Sequence, residues 1–168
     1  MSWKFSYQNG EQYYNRVHLY FNGLIAVTLF PFAVVYLELD RGVAEARLLG
    51  ETISTVLSFI VPIIAGVSMV FAFRAYRRSI KKAPELSSLR AKLDLYYEAA
   101  LKKYLVLEGV SVITILCFYT TQASIFIVVY VFVIIAFSLG RPTIKIIGED
   151  CKLGKEEMKI LHEKLPIA

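Results

Sequence analysis

Four runs of apolar residues, each near the length that crosses a bilayer, leave this chain few ways to fold. They occupy about residues 17–39, 53–73, 104–121 and 124–139. A hydrocarbon core of about 30 Å takes roughly 20 residues of helix. The first two runs carry no charge before Glu38, the third carries only Glu108, and the fourth is short and rich in Ile, Val and Phe. A lone strand could not satisfy its backbone in lipid, so the fourth run also reads as a helix. Overall, 57% of the residues are hydrophobic, above the roughly 45–50% of soluble domains, and lipid-facing surface accounts for the excess. The first run is longer than a signal-peptide core and ends in Tyr36-Leu37-Glu38-Leu39-Asp40, which predicts a retained helix. The expected fold is an all-α membrane protein, a four-helix transmembrane bundle forming a single membrane domain.

Charge orients the bundle. The segment between runs one and two holds Arg41 and Arg47 against Glu38, Asp40, Glu45 and Glu51. The segment between runs two and three holds Arg74, Arg77, Arg78, Lys81, Lys82, Arg90, Lys92, Lys102 and Lys103 against three acids. The turn between runs three and four is uncharged, and the tail adds Arg141, Lys145, Lys152, Lys155, Lys159 and Lys164. Basic loops stay in the cytoplasm, so both termini are expected there, in a multi-pass protein of a bacterial cytoplasmic (inner) membrane. Retention of this kind also accounts for the net charge of +5; the expected partner is the lipid bilayer and not nucleic acid. Tyr13, Tyr14, Tyr20, Tyr76 and Tyr104 read as anchors at the inner interface, and Tyr36 and Tyr119 at the outer one.

Residues 74–103 read as a cytoplasmic helical hairpin that extends the second and third spans. Pro84 breaks the first arm and suits the first turn of the second. Leu86, Leu89, Leu93 and Tyr97 then recur at helical steps and draw one apolar stripe. That stripe either docks a protein partner or packs within the chain. Residues 141–168 read as an amphipathic tail, with Ile144, Ile147 and Cys151 on one short face, a stop at Leu153-Gly154, and Met158, Leu161 and Leu165 on the next. No internal repeat is visible: Pro31 and Pro62 mark the first hairpin and have no counterpart in the second.

Glu108 is the residue most in need of a function. It lies five residues past Lys103, roughly 7–8 Å deeper along a helix, where an intramembrane carboxylate must be paired, protonated or extended to the interface. Asn22, Ser68 and Ser111 fall at a comparable depth, with His18 at the cytoplasmic mouth, so these five could form one polar layer. Such a layer serves either helix packing or a proton- or cation-responsive site. Cys117 and Cys151 have no metal spacing, and His18 and His162 lie in separate segments. No cofactor, metal or catalytic constellation is expected. Two functions remain: a non-enzymatic accessory, scaffold or regulatory subunit docking a partner through its cytoplasmic helices, or a small homo-oligomeric transporter or channel using Glu108.

Overall fold

A computed structural model describes residues 7–42 and 48–167. Glu45, Arg47 and Ala168 lie outside the described residues. Helices are α1 (Gly10–Asp40), α2 (Glu51–Ile80), α3 (Leu89–Thr121), α4 (Ile125–Leu139), α5 (Ile144–Cys151) and α6 (Lys155–His162), with a 3-10 turn at Ala83–Glu85. Three of them, α1, α2 and α3, are long and apolar enough to cross a membrane. The fourth, α4, has 15 residues and reaches spanning length only when joined to α5 across the break at 140–143. Helices α1 and α2 run on through Pro31 and Pro62; each proline forfeits one backbone bond, which membrane helices tolerate.

The chain divides into two compact units. The apolar unit comprises 23–72 and 104–140. Val61, Phe118 and Phe126 form a buried cluster in it, with Phe32, Leu57 and Ile127 packed around them. In the most apolar stretches of α1 and α2 only 11% of residues are buried, against 44% in α3, so α1 and α2 turn most of their side chains outward. Phe30, Phe59, Ile63 and Phe71 are each at least 66% exposed, apolar surface of a kind that water-soluble monomers do not leave contiguous.

The basic unit gathers 7–22, 73–103 and 141–167. Hairpin and tail, separate in sequence, thus share one core with the start of α1: Tyr7, Tyr13, Leu93, Tyr96, Ile147, Cys151 and Leu161 are all buried. The two chain ends pair here. Asn9 and Pro166 form an antiparallel bridge, and the Ile167 N–H donates to Gln8 O at 2.9 Å. Gly10 suits this approach, because a Cβ there would lie a tight 3.2 Å from the backbone of Ile160 and Leu161.

Two details depart from the sequence reading. The second arm of the hairpin does not start at Pro84: Leu86 is extended, and Ser88 Oγ accepts from the Ala91 N–H at 3.2 Å, which caps α3 at Leu89. Leu86 therefore stands outside the helix that carries Leu89, Leu93 and Tyr97. Tyr13, Tyr76 and Tyr104 are buried and serve as core where interfacial anchors were expected: Tyr13 and Tyr76 lie in the basic unit, and the Tyr104 hydroxyl donates to Gly140 O within the apolar one. Cys151, on the short apolar face of the tail with Ile147, is fully buried; its Sγ donates to Lys92 O at 3.7 Å, and burial pushes the thiol up to about 12.

Candidate functional site

Two places concentrate polar groups, one in each unit. In the apolar unit, α3 contributes Glu108, Ser111 and Thr114. Ser111 and Thr114 are fully buried and donate back to the carbonyls of Leu107 and Val110 at 3.0 and 2.7 Å. Hydroxyls on apolar helices do this because no water competes for the carbonyl. Glu108 is half-buried; its Oε2 is enclosed and has no protein hydrogen-bond partner. From α4, Tyr130 stacks on Phe32 of α1 with ring centroids 3.8 Å apart, and its hydroxyl is enclosed beside Thr28. Glu108 is near enough to Tyr130 to act on it electrostatically. An unsatisfied carboxyl oxygen inside an apolar unit is costly, which sets Glu108 apart from the back-bonded hydroxyls around it.

The five residues expected in one polar layer divide between the units. Ser68, Glu108 and Ser111 belong to the apolar unit, and Ser68 is half-buried; His18 and Asn22 belong to the basic unit, where Asn22 is exposed and His18 rests on Tyr14 with ring centroids 4.4 Å apart. Tyr130 and Thr114 were missed because sequence periodicity treats a tyrosine or threonine in an apolar run as ordinary core. The stripe Leu86, Leu89, Leu93 and Tyr97 is covered to different extents: Leu93 is 0% and Tyr97 6% exposed, while Leu86 and Leu89 are half-buried.

In the basic unit, tyrosines and charges interlock. Tyr7 Oη donates to Asp94 Oδ1 at 3.0 Å, the Arg90 guanidinium donates back to Tyr7 O at 2.6 Å, and Tyr13 Oη donates to Leu93 O at 2.9 Å. Lys92 holds Glu157 through both carboxylate oxygens at 2.7 and 2.9 Å. Burial alone would raise the Glu157 carboxyl, but the Lys92 ammonium and the Gly154 N–H bring it below its ordinary value. Beside this lies a cluster around Tyr76. Its hydroxyl donates to the Asp150 carboxylate, and the Lys103 ammonium sits 4.1 Å from the centre of its ring. Lys103 is 4% exposed; burial pushes it down to about 8, with Asp150 pulling the other way. A cavity of about 230 Å³ opens here, lined by Tyr76, Arg77, Lys81, Asp150 and Lys152 among others. Among the described residues no cluster of His, Cys, Asp and Glu could hold a metal ion.

Comparison with known proteins finds no family model, no curated protein and no solved structure that matches the chain.

Proposed function

We propose that the chain is a four-span membrane protein with both termini and the basic unit in the cytoplasm, and that it acts there as a non-enzymatic accessory or scaffold subunit. The observation that carries this reading is the basic unit itself. Three separated segments, including both chain ends, form a body with its own core and a basic surface. Such a body offers a partner a fixed surface, so less ordering entropy is lost on binding than with loose loops. Docking uses Leu86 and Leu89, the half-buried end of the hairpin stripe, since Leu93 and Tyr97 are already covered by their own chain. The test is purification in mild detergent of wild type and of Leu86→Asn/Leu89→Asn. A partner that accompanies wild type and is lost from the variant, while the variant still melts cooperatively a few degrees below wild type, supports the reading. A protein that purifies alone, with the variant silent in cells, overturns it.

A second reading rests on Glu108 and Tyr130. A carboxyl with an enclosed, unpaired oxygen inside an apolar unit suits a proton- or cation-responsive site, and four helices would need a homo-oligomer to enclose a path. Reconstituted liposomes decide it. A pH-dependent flux that collapses in Glu108→Gln supports this function, whereas no flux from wild type removes it.

A further inference from the structure

The cavity at the end of α2 is lined by three cations that the protein leaves unneutralised. Arg77 and Lys81 come from α2 and the residue just beyond it, and Lys152 from the end of α5. The ion pairs Lys92–Glu157, Lys102–Glu98, Lys145–Glu149 and Lys164–Glu11 involve none of these three. The cavity's one carboxylate, Asp150, already accepts the Tyr76 hydroxyl and feels the buried charge of Lys103. What remains for a ligand is a positive field.

Lys152 adds an independent observation. It follows α5 in the left-handed conformation, at φ 49° and ψ 50°, and the next N–H, of Leu153, returns to Gly148 O at 2.9 Å. This helix ending favours glycine, because an L side chain there crowds its own backbone. A lysine occupies the position nonetheless, and its side chain lines the cavity. At about 230 Å³ the space falls below the ~300–1,000 Å³ of small-molecule pockets, so it takes a small group and not a nucleotide. Arg77 lies four residues past Phe73, where the apolar run ends, which is about 6 Å along the same helix. On the membrane reading above, that is headgroup depth.

We infer that this cavity binds a phosphate ester, with Arg77, Lys81 and Lys152 donating to its oxygens. The phosphate belongs either to an anionic lipid headgroup or to a free phosphate compound. The experiment uses the full chain in nanodiscs of phosphatidylcholine, alone or with phosphatidylglycerol. One arm counts phosphatidylglycerol molecules retained on release into native mass spectrometry. The other titrates glycerol 3-phosphate against the chain in dodecyl maltoside micelles, which carry no phosphate, and follows the melting temperature. Retention without protection by the soluble ester assigns the lipid, protection without retention assigns the free compound, and both together assign the phosphate group itself. In Lys152→Gly the binding falls at least about tenfold, the loss of one charge-assisted bond, while melting stays at or above wild type because the backbone conformation now suits its residue. Arg77→Gln repeats the loss, and Lys159→Gln, exposed and outside the cavity, leaves binding unchanged. Absence of both signals overturns the inference, and so does an equal loss in Lys159→Gln, which would mean diffuse attraction to a basic surface. Neither result bears on partner docking through Leu86 and Leu89, so the two proposals fail separately.

Discussion

Lys103 shows how an ammonium can be accommodated in a core built from aromatic rings. It sits over the faces of Tyr76 and Phe73, at 4.1 and 5.5 Å from their centres, and shares the field of Asp150. Its apolar stem suits the buried position, and the ring quadrupoles replace part of its lost hydration. Burial still dominates, and the folded value of about 8 stands below the ordinary 10.5. Between those two values the unfolded chain holds a proton that the folded chain has released. Wild-type stability therefore rises with pH through that window relative to Lys103→Met. Melting curves of both proteins from about pH 7.5 to about 9.5 check this; a constant difference between them would reject a buried Lys103. Gly10 is constrained by space in place of charge. Gly10→Ala pushes a methyl against the backbone of Ile160 and Leu161 and is expected to cost about 1–3 kcal/mol, read as a lower melting temperature.

At the scale of elements, α3 does the most varied work. Its first half puts Leu93, Tyr96, Ala99, Ala100 and Lys103 into the basic unit's core, and its second half puts Leu107, Ser111 and Thr114 into that of the apolar unit. One uninterrupted helix can serve both because its period stays the same while the chemistry on its covered face changes from aromatic and charged to small and hydroxylic. Burial grades the hairpin stripe in a way that spacing alone does not. Leu93→Ala should destabilise the protein by about 2–5 kcal/mol, whereas Leu86→Ala, at a half-buried extended position, should cost only about 1 kcal/mol. Denaturation of the two variants in detergent compares them directly. Similar losses would mean that Leu86 packs as deeply as Leu93.

At the scale of the whole molecule, the two chain ends are tied together. The bridge between Asn9 and Pro166, the Lys164–Glu11 ion pair at 2.6 Å and the burial of Ile167 hold residues 164–167 against the start of α1. With α1, α2 and α3 each contributing to both units, the ends and the 81–88 connection belong to one unit, and residues 42–50 join helices of the other. Reporter fusions at Lys81 and after the C-terminus should give the same sidedness, and a fusion within 42–50 the opposite one. Opposed signals from the first two would contradict both their place in one unit and the four-span reading.

How much of this could be read from the chain alone follows from the range of the forces involved. Helical spans and the asymmetry of charge between connections are local quantities, summed over neighbours in sequence, and they are legible in the apolar runs and the placement of Lys and Arg. Glu108 could be singled out for the same reason: a carboxylate in an apolar run is anomalous wherever the helix points. Tertiary structure alone decided that hairpin, tail and N-terminus share a core, that Cys151 and Lys103 are buried, that Tyr130 keeps Glu108 company, and that Arg77, Lys81 and Lys152 converge on one cavity. Those facts depend on which faces meet across gaps of tens of residues, and such meetings are set by packing between segments whose individual sequences carry no record of one another.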